Sequence, residues 1–174
     1  MKHEKLAGMI SSYLPEKDSG SRSILPLYTD HSKMKEIVSY LAEPFRGKVD
    51  FVASPEPQGF ILGSMISVEL GVGLIALRKY RMDPPDNRDL LVASYIDHRD
   101  QVKTLVVKQE MIPKGSRILL VDDWIQTAAT IQAGMTLIEE AGAALTGIAS
   151  IGTEHNAGVQ SLMDSVQVHC IYQR

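Results

Sequence analysis

Residues Arg117 to Gly134 read RILLVDDWIQTAATIQAG. Ile118 to Val121 is a short, wholly apolar run of mostly branched side chains, the composition of a strand buried on both faces. Asp122 and Asp123 follow at its carboxyl end with no turn residue between. Trp124 to Thr130 then reads as a loop of small and hydroxyl residues, and Ile131, Met135 and Ile138 recur at helical spacing. In an open α/β sheet, ligands bind just beyond the carboxyl ends of the strands. A helix start at that place offers unpaired N–H groups and the positive end of a dipole, which suits a phosphate. Two adjacent carboxylates beside it suit sugar hydroxyls, or a hard cation held directly or through water. The stretch therefore reads as a site for a phosphorylated sugar with Mg²⁺. The structural alternative is that the two aspartates cap the helix and Thr127 and Thr130 are ordinary loop residues.

Outward from this stretch, strands and helices alternate. Residues 2–14 carry Leu6, Met9, Ile10, Tyr13 and Leu14 at helical spacing, ended by Pro15, and residues 15–23 read as loop. Ile24 to Leu27 reads as a short extended piece. Asp30 reads as an N-cap for a helix carrying Met34, Ile37, Val38 and Leu41. Val49 to Ala53 is a strand, Ser54 to Gln58 a rigid loop, and Gly59 to Leu70 a helix apolar nearly all round, and so buried. Leu74 to Leu77 is the next strand, followed at once by the basic residues Arg78, Lys79 and Arg81. Residues 82–90 are polar and Pro-rich. Leu91 to Ile96 and Lys103 to Lys108 flank a polar segment, which predicts an antiparallel hairpin, or flap, standing off the main sheet. Leu145 to Ile151 and Val166 to Tyr172 are further strands, with a short helix over Asn156 to Met163.

This order predicts an α/β fold: a central, mainly parallel sheet flanked by helices, with an antiparallel flap near 91–108. A chain of 174 residues fits a single domain spanning 1–174, with an amino-terminal segment, 1–29, attached as a hood. Right-handed crossovers place the loops at 54–58, 78–81 and 122–130 on one edge of the sheet, facing a shared cleft. A net charge of −3 gives no footprint for nucleic acid. No apolar run reaches the ~18 residues that would span a membrane, and the amino-terminal residues do not pattern as a signal peptide. The lone Cys170 permits no internal disulfide, and the five histidines lack metal-ligand spacing. The expected setting is the cytoplasm.

From about Arg22 to Tyr172 the chain resembles the type I phosphoribosyltransferases, and their adenine branch in particular. The residues that carry the resemblance are I118-L119-L120-V121-D122-D123, with T127 and T130, beside D50-F51-V52-A53-S54-P55-E56-P57-Q58-G59-F60, L70-G71-V72-G73, R78-K79 and A93-S94-Y95. The resemblance implies transfer of a phosphoribosyl group from phosphoribosyl pyrophosphate to a purine, adenine first, with Mg²⁺. It implies that Asp122 and Asp123 hold the ribose hydroxyls, reach the metal through the substrate, and stabilise an oxocarbenium-like centre. Gln126, Thr127, Ala128, Ala129 and Thr130 would cradle the 5′-phosphate. Glu56, Pro57, Gln58, Gly59, Arg78 and Lys79 would hold the pyrophosphate, and Arg22 would lie near the base. The flap would close over the reaction and exclude water. A homodimer is implied as well.

The chain departs from the family in places. Ala128-Ala129 replace a Gly-Gly pair. That costs on the order of 1 kcal/mol or more at a position needing positive φ, and nothing if both lie in the first helical turn. Gln58 stands where the family has an arginine, and Ser23 where it has an aspartate. The flap lacks the family's Leu-Glu-Tyr, leaving Asp97, His98 and Asp100 as the groups able to act as acid or base. Glu56-Pro57 is expected to be cis, because an X-Pro bond costs only about 0.5–1 kcal/mol in that form. Trp124 is expected to pack rather than stack on a base, Met34, Met65, Met135 and Met163 to lie in the core, and Cys170 to be buried. His155-Asn156, at a strand end, could touch a base. These departures leave two alternatives open: a non-catalytic binder of the same ligand, and an enzyme for a pyrimidine or orotate-type base.

Overall fold

The computed structural model describes residues 2–14, 24–80, 89–97 and 99–174. Arg22, Ser23, Arg81 and His98, the loop reading at 15–23, and residues 82–88 of the polar reading at 82–90 lie outside them, while Leu90 begins a strand. Seven strands form one sheet: β1 (Phe51–Pro55), β2 (Gly73–Tyr80), β3 (Leu90–Ile96), β4 (Val102–Lys108), β5 (Arg117–Ile125), β6 (Ala144–Thr153) and β7 (Val168–Gln173). Their spatial order is β3-β4-β2-β1-β5-β6-β7. β1, β2, β5, β6 and β7 pair in parallel, whereas β4 pairs antiparallel with both β2 and β3. The flap is therefore not detached. It extends the main sheet from its edge by pairing with Arg78 to Tyr80, the far end of β2.

Among the described residues five α-helices flank the sheet: α1 (Lys2–Tyr13), α2 (His31–Ala42), α3 (Gln58–Leu70), α4 (Ala129–Glu140) and α5 (Ala157–Ser165). Alternation along β5 divides the core in two. Leu119 and Val121 join the cluster built with α1, α2 and α3, while Ile118 and Leu120 join the cluster built with α4 and α5. Asp30 caps α2 as expected, its Oδ1 accepting from the Lys33 N–H at 3.1 Å. Two readings change. Leu25–Thr29 is a 3₁₀ helix rather than an extended piece, because Pro26 presets a helical φ there. α3 is not wholly buried, since Val68 is 81% and Ile61 39% exposed on its outer face. Met34 lies in the core as expected, while Met65, Met135 and Met163 pack against it partly buried, and Cys170 is only half-buried.

At the end of the sheet away from the Asp pair, Asp50 and Arg117 tie β1 to β5. The Asp50 carboxylate accepts from the Arg117 backbone N–H at 2.7 Å and meets its guanidinium at 2.7 Å. These bonds hold the Asp50 carboxyl down, from 3.8 to about 2. A depressed carboxylate adds stability above its unfolded value, and that stability is lost as pH falls through the folded value. Asp50→Asn should therefore lower the melting temperature at neutral pH, and the gap from wild type should narrow between about pH 4 and about pH 2. Thermal melts across that range check it.

Candidate active site

The chain runs from β1 through α3 to β2 on one side, and from β5 through α4 to β6 on the other. The sheet order thus reverses between β1 and β5, which makes this the switch point where open α/β sheets bind ligands. The loops leaving β1 and β5 line one cleft there, together with Lys79 of β2 and Tyr95 of β3. The expectation that three separated loops share a cleft is met. Two strands run further than expected. β2 continues to Tyr80, so Arg78 and Lys79 lie in a strand. β5 continues to Ile125, so the Asp pair sits inside the strand rather than in a loop after it.

That placement buries Asp123 and leaves Asp122 half-buried. Asp123 is only 6% exposed, and its backbone N–H donates to the Asp122 Oδ1 at 2.9 Å. Burial raises the Asp122 carboxyl well above its usual range, and the neighbouring Asp123 charge raises it further. Burial also raises Asp123. Lys79 acts in the opposite direction on both. A built Cβ on Gly59 would lie 3.1 Å from the Asp122 Oδ1, so glycine lets α3 approach the pair closely.

Both helices that start at the cleft start without a side-chain cap. Pro57 precedes α3 and Ala128 precedes α4, and neither makes a capping bond. By contrast α2 and α5, which start elsewhere, are capped by Asp30 and Asn156. Uncapped first turns leave N–H donors free for an anion. Ala128 has φ 65° and Ala129 is the first residue of α4. The two alanines thus divide between the two outcomes foreseen: Ala128 occupies a left-handed position, and Ala129 sits in the helix at no cost.

The Glu56-Pro57 peptide is cis, as expected. Its loop is pinned to β2: the Glu56 N–H donates to the Leu77 carbonyl at 2.9 Å, and its Oε2 accepts from the Lys79 N–H at 3.1 Å. The pair Arg78-Lys79 is split by strand alternation. Lys79 lines the cleft, whereas Arg78 is 70% exposed, outside the cleft lining, with its Nε 3.5 Å from Glu56. Gln58, Gln126, Thr127 and Thr130 line the cleft. Asp97 does too, but its Oδ1 accepts the N–H groups of Arg99 and Gln101 at 2.9 and 3.0 Å and so shapes the hairpin turn.

Trp124 packs over Gly152, where a Cβ would overlap the ring, and its indole N–H donates to Glu154 at 3.2 Å. One edge of it still lines the cleft. Asn156 does not reach for a base. Its amide oxygen caps α5 and its amide N–H donates to the Gln126 carbonyl at 2.7 Å, holding the backbone of the loop between β5 and α4. Sequence reasoning gave no role to Tyr95, which lines the cleft together with Thr130. It also passed over Tyr28, whose hydroxyl is buried without a hydrogen-bond partner and is raised above the phenol range by burial and by the Asp pair. An aromatic at helical spacing reads simply as core, so only the fold reveals Tyr28 beside the carboxylates.

Among the described residues the cleft wall carries one cation, Lys79, against Glu56, Asp97, Asp122 and Asp123. The anion-binding capacity lies in the two uncapped helix starts that flank the carboxylates, which suit a ligand anionic at both ends and rich in hydroxyls between. That arrangement defines the class as a phosphosugar-binding α/β protein. Residues 28–171 match the phosphoribosyl transferase domain family. The chain is 35% identical to the adenine phosphoribosyltransferase of Nocardioides sp., covering 74% of this chain and 70% of that protein. It is 33% identical to that of Streptococcus thermophilus, covering 86% and 84%. Among solved structures it resembles the adenine phosphoribosyltransferase of Thermoanaerobacter pseudethanolicus, with a TM-score of 0.82 at 24% identity over 97% of this chain and 99% of that one. The chain belongs to the phosphoribosyltransferase family.

Left-handed φ costs an alanine roughly 1 kcal/mol that glycine avoids. Ala128→Gly should therefore raise unfolding stability by up to about 1 kcal/mol, less whatever the freer unfolded chain takes back. Denaturant titration measures it, and a clear loss of stability would show that Ala128 is unstrained.

Proposed function

We propose that this chain transfers the phosphoribosyl group of phosphoribosyl pyrophosphate to a purine, adenine first, releasing pyrophosphate. The observation that carries this reading is the Asp122-Asp123 pair, lining the cleft between two uncapped helix starts at the switch point. The first turn of α4, with the hydroxyls of Thr127 and Thr130, holds the 5′-phosphate. Asp122 and Asp123 accept the ribose hydroxyls. The start of α3, Gln58 and Lys79 hold the pyrophosphate. Arg78, through its contact with Glu56, steadies the loop from outside.

The C1–oxygen bond to pyrophosphate breaks, and its electron pair leaves with the diphosphate. A ring nitrogen of the purine then forms the bond to C1 and loses its proton. Negative charge from the Asp pair favours the electron-poor sugar between these events. Asp97 is the described acid on the flap side of the cleft able to receive the purine proton. Tyr95 of the flap lines the cleft opposite the start of α4 and keeps water out.

The donor set fits Mg²⁺. Two carboxylates with raised pKa values gain from a hard cation, although the described residues include no group of three or more such ligands. Asp122 and Asp123 therefore reach the ion through substrate hydroxyls or water. When bound, it neutralises the diphosphate. The same reading carries a cytoplasmic setting and a homodimer.

The test is turnover with phosphoribosyl pyrophosphate, Mg²⁺ and a panel of purine and pyrimidine bases. Adenine should give the highest kcat/KM. Binding without turnover on any base would leave a non-catalytic binder, and preference for a pyrimidine would reassign the substrate. The Asp pair gives a second check. A raised carboxyl contributes stability below its unfolded value and loses it as pH rises through the folded value. Asp122→Asn should thus melt higher than wild type at neutral pH without ligand, while turnover falls by several orders of magnitude, and Asp123→Asn should act in the same direction. Retained activity in the double variant would remove the pair from the mechanism.

A further inference from the structure

The cleft wall has a charge problem. A sugar bearing a phosphate and a diphosphate must enter a cleft whose described wall holds four carboxylates and one lysine. On the pyrophosphate loop itself, Gln58 is neutral and Glu56 is an acid. Lys79 and Glu56 together bring no net charge to the diphosphate end.

A second cavity adjoins this end. It shares Glu56, Pro57 and Lys79 with the main cleft, and its far wall includes Lys103 and Thr104 of β4. Strand register independently puts Lys103 on the right face. Lys103 pairs directly with Tyr95, whose side chain lines the cleft. Lys79 pairs with Leu105, two residues along β4 from Lys103. Residues directly opposite, and residues two apart on one strand, share a sheet face. Lys79, Lys103 and Tyr95 therefore project from the same face, with the two lysines in a diagonal relation of roughly 7–8 Å between backbones. Arg78, opposite Val106, belongs to the other face.

The Lys103 ammonium is already held in place. It donates to the Gln101 side chain at 2.7 Å and lies 3.9 Å from the Asp97 carboxylate, with 37% of its side chain exposed. Asp97 in turn shapes the hairpin turn, so the position of the lysine is tied to that of the flap.

Resting on the phosphoribosyl reading above, we propose that Lys103 is a diphosphate-binding residue, delivered by the hairpin to the Glu56-Pro57 loop, where it supplies the cation that Gln58 does not. With Lys103 added, two lysines face the diphosphate end, and a diphosphate bridges two strands of the sheet. The flap strand then contributes binding energy as well as cover.

The test compares wild type with Lys103→Met and Lys103→Arg. Steady-state kinetics with adenine would read KM for phosphoribosyl pyrophosphate, KM for adenine, and inhibition by inorganic pyrophosphate. Calorimetry with Mg²⁺-pyrophosphate would read binding without any need for turnover. Lys103→Met should raise the KM for phosphoribosyl pyrophosphate, and weaken pyrophosphate binding, by roughly tenfold or more, the loss of one charge-assisted contact to phosphate. The KM for adenine should stay unchanged, and Lys103→Arg should retain most of the affinity. Adding Gln58→Arg to Lys103→Met should restore it. Equal pyrophosphate affinity in wild type and Lys103→Met would overturn the assignment. So would a loss that falls equally on adenine, since that would mark a merely loosened hairpin. If wild type binds neither phosphoribosyl pyrophosphate nor pyrophosphate, the phosphoribosyl reading itself fails, and this assignment with it.

Discussion

Parallel pairing of β1 with β5 is the constraint on which the rest of the site depends. It joins Phe51 to Ile118, Val52 to Leu119 and Ala53 to Leu120. From this seam the chain is wound outward in both directions, to β2 on one side and to β6 and β7 on the other. Two helix starts consequently face each other across the seam, with nothing between them but the ends of two strands. Asp50 and Arg117 lock the opposite end. A slip of one residue in this register would exchange the faces of Asp122 and Asp123 and remove the site.

The seam also explains the electrostatics. A carboxylate at an exposed loop would be solvated and unremarkable in pKa. Extending β5 through Ile125 draws the Asp pair into the sheet, where solvation is poor and the two charges are neighbours. The protein carries this cost without ligand. A ligand that brings hydrogen-bond donors to the pair would relieve that cost, so it favours hydroxyl-rich partners. Leaving α3 and α4 uncapped is the same arrangement in backbone form: both keep donors unsatisfied where the ligand belongs.

Much of this was legible in the chain. Ile118 to Val121 could only be a buried strand, and the helical spacing after Thr130 set the direction of α4. The motif residues placed the chain in its family, and Glu56-Pro57 was readable as cis because proline makes that geometry cheap. Other features were not legible. Arg78 and Lys79 look equivalent in a sequence read as a loop, yet they lie in a strand and alternate to opposite faces. Asn156 looked like a possible base contact, and its amide is used to cap α5 and hold Gln126. The flap looked detached because its pairing partner is the continuation of β2, beyond the apolar run that marked the strand.

Periodicity and motif therefore determined the order of elements, the family and which loops meet at the cleft, because hydrophobic spacing and local turn chemistry are properties of neighbours in the chain. Tertiary structure alone decided which face each side chain occupies, that Ala128 is left-handed while Ala129 is helical, and that Tyr28 and Tyr95 stand beside the Asp pair and the loop between β5 and α4. It also decided that Lys103 shares a face with Lys79. Those facts depend on pairing between strands far apart in sequence, and a single chain read in order carries no record of which strand lies beside which.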